Sequence, residues 1–453
     1  MEAFTDLLFY LEYLFWFVLV FTIIVFIHEF GHYYVARLNK VKVDIFSIGF
    51  GPTLFKYKDR NNTIWQVCIV PLGGYVKFAG EMYPDNANNN KEHKYKELFM
   101  NKSSLQKASV VLAGPIANFI LGIFLFLVIF ITFGKNFTSP IIGHVEINSP
   151  ADKAGLLEND KILSMNGYQI RSFEDVYSIL DDNLFEIIEF KIERDNRNLM
   201  LSVYPDKKII KTFIGSMREI NFIGFEPLFK PLVSKVIKNS PADKAGMKPN
   251  DRIAEIDGKK TESIKEVISI IKINANNKLD FLIDRNNSFI SLQIKPNLVL
   301  NDKGQEKGVI GIQFSGERKK IDFFSALKES SYSFFMIIKK TLIAFIEIIF
   351  GKRDHCEVGG PILIAKVSND MANQDLVSFI SLIALISINL GLINLFPLPL
   401  LDGGHFFTYL YEFLNKKQVT KVFYKYFQSI GAFIIISLMF FSIFNDIYCR
   451  ILN

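Results

Sequence analysis

The sequence predicts an α-helical membrane protein with four transmembrane helices, interrupted by a soluble α+β insert built as two tandem copies of one unit. Three observations lead there. Half of the 453 residues are hydrophobic, and they gather in a few long runs separated by charged, strand-like sequence. Four of those runs are long enough to cross a hydrocarbon layer of about 30 Å at about 1.5 Å per helical residue. Between the second and third runs, "NSPADKAGLLENDKILSMNG" (148–167) returns as "NSPADKAGMKPNDRIAEIDG" (239–258), identical at 12 of 20 positions without a gap, which marks a duplication.

The first span is read as Tyr13 to Ala36. Its apolar run is too long for a secretory signal core and lacks a small-residue cleavage site, so it is expected to remain as a span. Ala108 to Gly134, Leu376 to Leu401 and Tyr426 to Phe444 follow. A further apolar stretch, Ser331 to Phe350, is interrupted by Lys339 and Lys340 and carries Glu347. It reads as an amphipathic helix lying against the membrane or the protein.

Basic residues set the orientation. The loop after the first span holds Arg37, Lys40, Lys42, Lys102 and Lys107; the loop before the fourth holds Lys416, Lys417, Lys421 and Lys425. With four spans both lie on one side, the cytoplasm, and the insert lies outside. The expected organisation is a first helix (1–36), a cytoplasmic loop (37–103), a second helix (104–134), two insert units (135–220 and 221–320), an amphipathic connecting segment (321–374), a third helix (375–402), a cytoplasmic loop (403–425) and a fourth helix (426–447). The net charge of +6 forms no dense basic stripe, so no nucleic-acid partner is expected. Cys68, Cys356 and Cys449 are far apart and odd in number, and suggest no disulfide framework.

Each repeat reads as a strand, a short helix, a turn at Asn-Asp and a strand ending in Asn-Gly or Asp-Gly. This resembles the bacterial PDZ arrangement, in which "SPADKAG" opens the small helix. Such domains add a peptide to a sheet edge and hold its C-terminal carboxylate with backbone amides. The resemblance places those amides just before each repeat, around Ile142-Gly143 and Ile223-Gly224. An empty groove serving as a size filter is the other reading.

The chemistry sits in "FIHEFGH" (26–32), which closes a stretch from Tyr13 to Ile27 that holds no charge. Ionisable groups at membrane depth are costly and mark functional sites. Residues four apart share a helix face, so His28 and His32 can offer two imidazoles to one ion, with Glu29 beside them as general base. This is the HExxH pattern of zinc hydrolases, in which zinc brings the pKa of a water it binds toward about 7. A third ligand is required. In "NLGLINLFPLPLLDGGH" (389–405), Asp402 is the one acid of an otherwise uncharged run. Pro397 and Pro399 break the helix there, and Gly403-Gly404 are expected to keep it broken, so that irregular backbone lines a cavity. His405 is a rival ligand.

"HEFGHYYVAR", "GPIANF" (114–119), the doubled PDZ-like unit and "NLGLINLFPLPLLDGG" appear in the order found in site-2 proteases. Nearly the whole chain resembles this family of intramembrane zinc metalloproteases, in particular its RseP-type regulators of the sigma-E response. The resemblance implies one Zn2+ per chain on His28, His32 and Asp402, and Glu29 as the catalytic acid/base. It implies that Asn394 holds the substrate strand and that Asn389, Pro397 and Pro399 shape that site. Gly114, Pro115 and Asn118 are expected to pack. "VCIVPLGGYVKFAGE" (67–81) reads as a hairpin turning at Gly73-Gly74, and resembles a re-entrant, membrane-associated β element on the cytoplasmic side that reaches the active site. The implied substrate is a single-span membrane protein, such as an anti-sigma factor already trimmed outside, or a leftover signal peptide, cleaved in the bacterial inner membrane during envelope stress. The loop at about 84–100 and "KRDHCEVGG" match no pattern and receive no role. Two alternatives belong to other classes: a catalytically silent PDZ membrane scaffold, and an ion transporter. A complete HExxH-plus-Asp set argues against the first. The absence of a repeat between the membrane segments argues against the second.

Overall fold

The computed structural model describes residues 2–80, 95–182, 186–211, 217–300, 306–314, 316, 318–351, 356, 359–417 and 419–449. The chain forms two compact units: one of Met1–Phe133, Lys211–Met217 and Ile321–Asn453, the other of Gly134–Ile210 and Arg218–Lys320. Most of the loop at 84–100, and part of "KRDHCEVGG", lie outside the described residues.

The first unit holds α1 (Glu2–Leu38), α2 (Ser104–Thr132), α3 (Phe323–Ile349), α4 (Pro361–Gln374), α5 (Leu376–Asn394), α6 (Asp402–Asn415) and α7 (Lys421–Ile447), with a hairpin of β1 (Val43–Lys58) and β2 (Ile64–Phe78) that packs against α1. Among the described residues four stretches are long and apolar enough to cross a membrane: Leu11–Leu38, Ser104–Thr132, Leu376–Asn394 and Val422–Ile447. Side chains close the exposed backbone donors at several helix starts. Ser103 and Gln106 form a reciprocal capping box on α2, Asp322 caps α3, Asp375 caps α5 and Thr420 caps α7.

Small residues let the helices cross closely, as packing in lipid requires. A Cβ on Gly31 would lie 2.3 Å from the carbonyl oxygen of Ala113, so α1 and α2 touch backbone to backbone between the two histidines. Helix α3 packs on its neighbours: Phe334 meets Phe119 at 5.1 Å, Phe345 meets Phe396 at 5.7 Å, and Thr341 donates to Asn389 Oδ1 at 2.9 Å.

Three expectations are corrected in this unit. The third apolar helix ends at Asn394, and Pro397 and Pro399 shape a turn, but helix resumes at Asp402. Gly403 and Gly404 therefore sit inside the first turn of α6, where a loop was expected. Their Cβ positions would fall 2.2 Å from Phe396 O and 2.3 Å from Leu398 O, so glycine lets the new helix start against the turn. The hairpin is also longer than expected and turns at 59–63. Both strands bend in mid-course, so that residues 43–48 pair with 74–78 on one side and with 64–67 on the other. Gly73-Gly74 lie at the bend of β2, where Gly73 adopts φ 114° beneath the ring of Phe50. Finally, Cys356 and Cys449 form a disulfide across a sequence separation of 93 residues, where none was expected; folding brings together what spacing could not pair. Cys68 is a buried free thiol.

The second unit holds two four-stranded antiparallel sheets of the same order. Tyr168–Gln169, Lys161–Met165, Ile188–Arg194 and Arg197–Val203 form one; Lys259–Lys260, Arg252–Ile256, Leu279–Arg285 and Ser288–Ile294 form the other. The repeat explains the match. Ser149 and Ser240 each cap a four-residue helix, accepting from Asp152 N and Asp243 N at 3.2 Å. Asn166-Gly167 and Asp257-Gly258 all take positive φ, as two-residue hairpin turns demand. Each copy buries its own core, and a helix, Phe173–Asp182 or Ile264–Ile273, lies beside it. The boundary between copies moves from 220/221 to beyond Pro227. Strand Phe225–Pro227 pairs with Ile142–Val145, and Ile223 joins Ile142 in the first core. Ile223-Gly224 thus closes the first copy and does not open the second. Gly143 approaches the backbone of Leu228 so closely that a Cβ would lie 2.5 Å from its Cα.

Candidate metal centre

Helix α1 presents His28 and His32 on one face, and the first residue of α6 brings Asp402 to them. His28 Nε2 lies 3.1 Å and His32 Nε2 3.5 Å from Asp402 Oδ2, and the two Nε2 atoms are 3.2 Å apart. All three donor atoms fit within 4.8 Å of one another. Both histidines are buried, with 8% of each residue exposed.

This donor set fits a metal. Two imidazole nitrogens facing one carboxylate oxygen repel unless a proton or a cation lies among them. Two histidines and one carboxylate suit zinc, and three protein ligands leave a position open. The far nitrogens are anchored, as metal-binding histidines require. His32 Nδ1 donates to Val110 O at 2.9 Å. His28 Nδ1 lies 3.2 Å from the amide of Asn118, whose buried Oδ1 finds no partner among the described residues. Freeing the Nε2 lone pair of His28 puts the proton on Nδ1. A half-turn of the Asn118 amide would then satisfy that proton and the orphan oxygen together. Asn118, expected to pack, is fully buried and also meets the ring of His28, one of the three candidate ligands.

Glu29 turns toward β2 and shares a cavity wall with Gly74, Tyr75 and Val76 of that strand. The strand reaches it because Gly74 has no side chain: a Cβ there would stand 3.0 Å from Glu29 Cγ. A cavity of about 540 Å³ joins these groups; His28, Glu29, His32, Asp402, Asn394 and Gly74 all line it. Asn394, the last residue of α5, places Nδ2 3.5 Å from His28 Nε2.

Other predicted residues lie elsewhere. Gly73, Asn389, Pro397 and Pro399 do not line the cavity. Asn389 anchors α3, and Pro399 packs against Gly431 of α7. His405 is not one of the three clustered donors; its Nδ1 faces the hydroxyl of Tyr424 at 3.2 Å. Asn118 stands four residues after Gly114, on one helix face, a spacing that could have marked it. No sequence signal points to Tyr424.

A family model described as peptidase family M50 matches residues 16–438. The chain belongs to peptidase family M50. Its M50 relatives include the regulator of sigma-E protease RseP of Salmonella typhimurium, 32% identical over 95% of this chain and 97% of that protein. RseP of Escherichia coli is 30% identical, and a putative zinc metalloprotease of Rickettsia conorii 33% identical, each over the same shares. A PDZ domain of an SdrC-like protein from Listeria monocytogenes overlays 18% of this chain and 83% of its own, at 25% identity and a TM-score of 0.16. This M50 peptidase is a metalloprotease of the site-2 type, with a role in regulated intramembrane proteolysis.

Proposed function

We propose that the protein is an inner-membrane zinc endopeptidase that cuts single-span membrane proteins within the bilayer, anti-sigma factors trimmed outside being the expected substrates and leftover signal peptides a second kind. One zinc ion per chain is held by His28, His32 and Asp402. The observation that carries this reading is the meeting of two distant stretches of chain at three donor atoms, with the Glu29 carboxylate in the same cavity. When bound, zinc supplies Lewis acidity toward a carbonyl and makes water acidic near neutral pH. Glu29 takes the proton of the attacking water and passes it to the departing amine.

The substrate must first leave its helical form, because a helical carbonyl is shielded and hydrogen-bonded. The 74–78 segment of β2 pairs with β1 on one side only, and Gly74, Tyr75 and Val76 line the cavity. An unwound substrate strand adds to that free edge, and Asn394 holds it from the other side. Asn389, Pro397 and Pro399 support the site from behind, by seating α3 and by shaping the turn before Asp402. The two repeat units are PDZ domains that face the periplasm and screen what approaches, either by binding peptide C-termini or by size.

The test is cleavage of a pre-trimmed single-span peptide by the full chain in detergent, with and without chelator. Glu29→Gln should keep a full complement of metal and lose cleavage by at least about 10²-fold. Turnover like the wild type in that variant would remove Glu29 from its role.

A further inference from the structure

The catalytic cavity holds a second polar centre that neither the three donors nor Glu29 uses. His405 follows Asp402 by three residues on α6, so the two side chains leave the helix as neighbours. Both line the cavity, as does Tyr424 from the start of α7. The imidazole shares the cavity wall with Asp402 and His32. Its Nδ1 lies 3.2 Å from the Tyr424 hydroxyl, with ring centroids 6.1 Å apart. Among the described residues the other ring nitrogen, Nε2, has no protein partner. If the tyrosine donates to Nδ1, the neutral ring carries its proton on Nε2 and offers it to the cavity.

Peptide hydrolysis needs such a donor. Water adds to the carbonyl carbon, Glu29 takes one of its protons, and the π electron pair of the carbonyl moves onto oxygen. That oxygen then needs hydrogen-bond donors aimed at it in a site that excludes bulk water. On collapse the C–N bond breaks, the electron pair leaves with nitrogen, and the Glu29 proton completes the amine. We propose that His405 is a catalytic residue that donates from Nε2 to the oxygen of the scissile carbonyl as negative charge builds there. Tyr424 is the positioning residue that fixes its ring and its tautomer.

The inference rests on the metalloprotease reading of the cavity, and the experiment keeps the two apart. Full-length wild type and the variants His405→Ala, His405→Gln, Tyr424→Phe and His405→Ala/Tyr424→Phe are purified in detergent. Metal content, kcat and KM on a single-span peptide are measured for each. His405→Ala should keep its metal and lose kcat by about 10²–10³-fold, with KM changed by less than about threefold. His405→Gln, which retains an N–H donor, should recover part of that loss. Tyr424→Phe should lose about tenfold, and the double variant should be no slower than His405→Ala, because Tyr424 acts through the ring. Wild-type kcat in His405→Ala overturns the proposal, and so does a change confined to KM. Loss of metal would make His405 a ligand instead, and losses that multiply in the double variant would remove Tyr424 from its positioning role. Should His405→Ala not fold, wild-type kcat in Tyr424→Phe, which keeps the bulk of the ring, is itself enough to overturn the pair. A wild type that binds no metal, or that cleaves unaffected by chelator, would refute the metalloprotease reading itself, and the assignment would fall with it.

Discussion

A methyl group on Gly114 would stand 2.3 Å from His32 Nε2 and 2.8 Å from His28 Cε1. The absence of that one carbon lets α2 press against the two imidazoles, and it separates two effects that usually travel together. Alanine is the better helix former by about 1 kcal/mol, so Gly114→Ala should not weaken α2 itself. It should push both rings off their positions and cut metal affinity by about 10–100-fold, the range seen when the support of a ligand is disturbed. Competition with a chelator measures this, beside a thermal melt of the metal-free protein. Unchanged affinity would mean that the rings have room to move. The four residues of the centre were legible in the sequence for a local reason. His28, Glu29 and His32 share one helical turn, and Asp402 is a single acid in an uncharged run. Gly114 and Asn118 stood out only as a motif, without their partner, and Tyr424 not at all, because the contacts are long-range: Asn118 meets His28 across 90 residues, and Tyr424 meets His405 across 19.

At the scale of elements, the two insert copies repeat one ion pair, between a buried aspartate and a partly exposed arginine. Asp251 is fully buried and accepts from Arg285 Nε at 2.7 Å, from its Nη2 at 2.8 Å and from Lys248 N at 2.7 Å. The same arginine reaches Gly246 O, so it ties the end of the small helix to the central strand. Asp160, Arg194, Leu157 N and Gly155 O form the same set in the first copy. Removing the buried carboxylate leaves a backbone N–H unpaired and the partly exposed arginine without its carboxylate, and costs about 1–3 kcal/mol. Asp251→Ala should therefore open the second copy to limited proteolysis while the first stays resistant, and Asp160→Ala should reverse the pattern. Both copies opening together in either variant would show that they fold as one cooperative block. The repeat, its caps and its turns were legible because Ser, Asp, Asn and Gly act within a few residues of themselves. The β1–β2 bend and the start of α6 were not. Gly73-Gly74 and Gly403-Gly404 look like turn signals in one dimension, yet each serves a close approach to another segment, Gly74 to Glu29 and Gly403 to Phe396.

At the scale of the whole membrane unit, the disulfide gives the bundle a direction. Tyr424 meets His405 near the metal end of α7, and Asp446 lies 22 residues further along that helix, about 33 Å away at about 1.5 Å per residue. That is the thickness of a hydrocarbon core. At the far end Asp446 accepts from the backbone of Gly360 and Ile362 at 2.9 Å, capping α4, and Cys449 is joined to Cys356. The free thiol, Cys68, lies on β2, the strand that reaches Glu29. Disulfides persist in oxidising compartments and are rare in the cytosol. A disulfide at one end and a free cysteine at the other give a redox ground for the proposed orientation, in which the candidate metal centre lies nearer the cytoplasm. This ground and the lysine-rich loops are independent, because one reads redox chemistry and the other counts loop charges. In intact spheroplasts of a Cys68→Ala background, a membrane-impermeant maleimide should label neither Cys356 nor Cys449 until an impermeant reductant is added outside. Both should then react without breaking the cells. If labelling needed no reductant the bond would be absent, and if it needed permeabilised membranes the bundle would be inverted. The second result would place the HExxH end outside and reverse the direction in which the cut fragment is released.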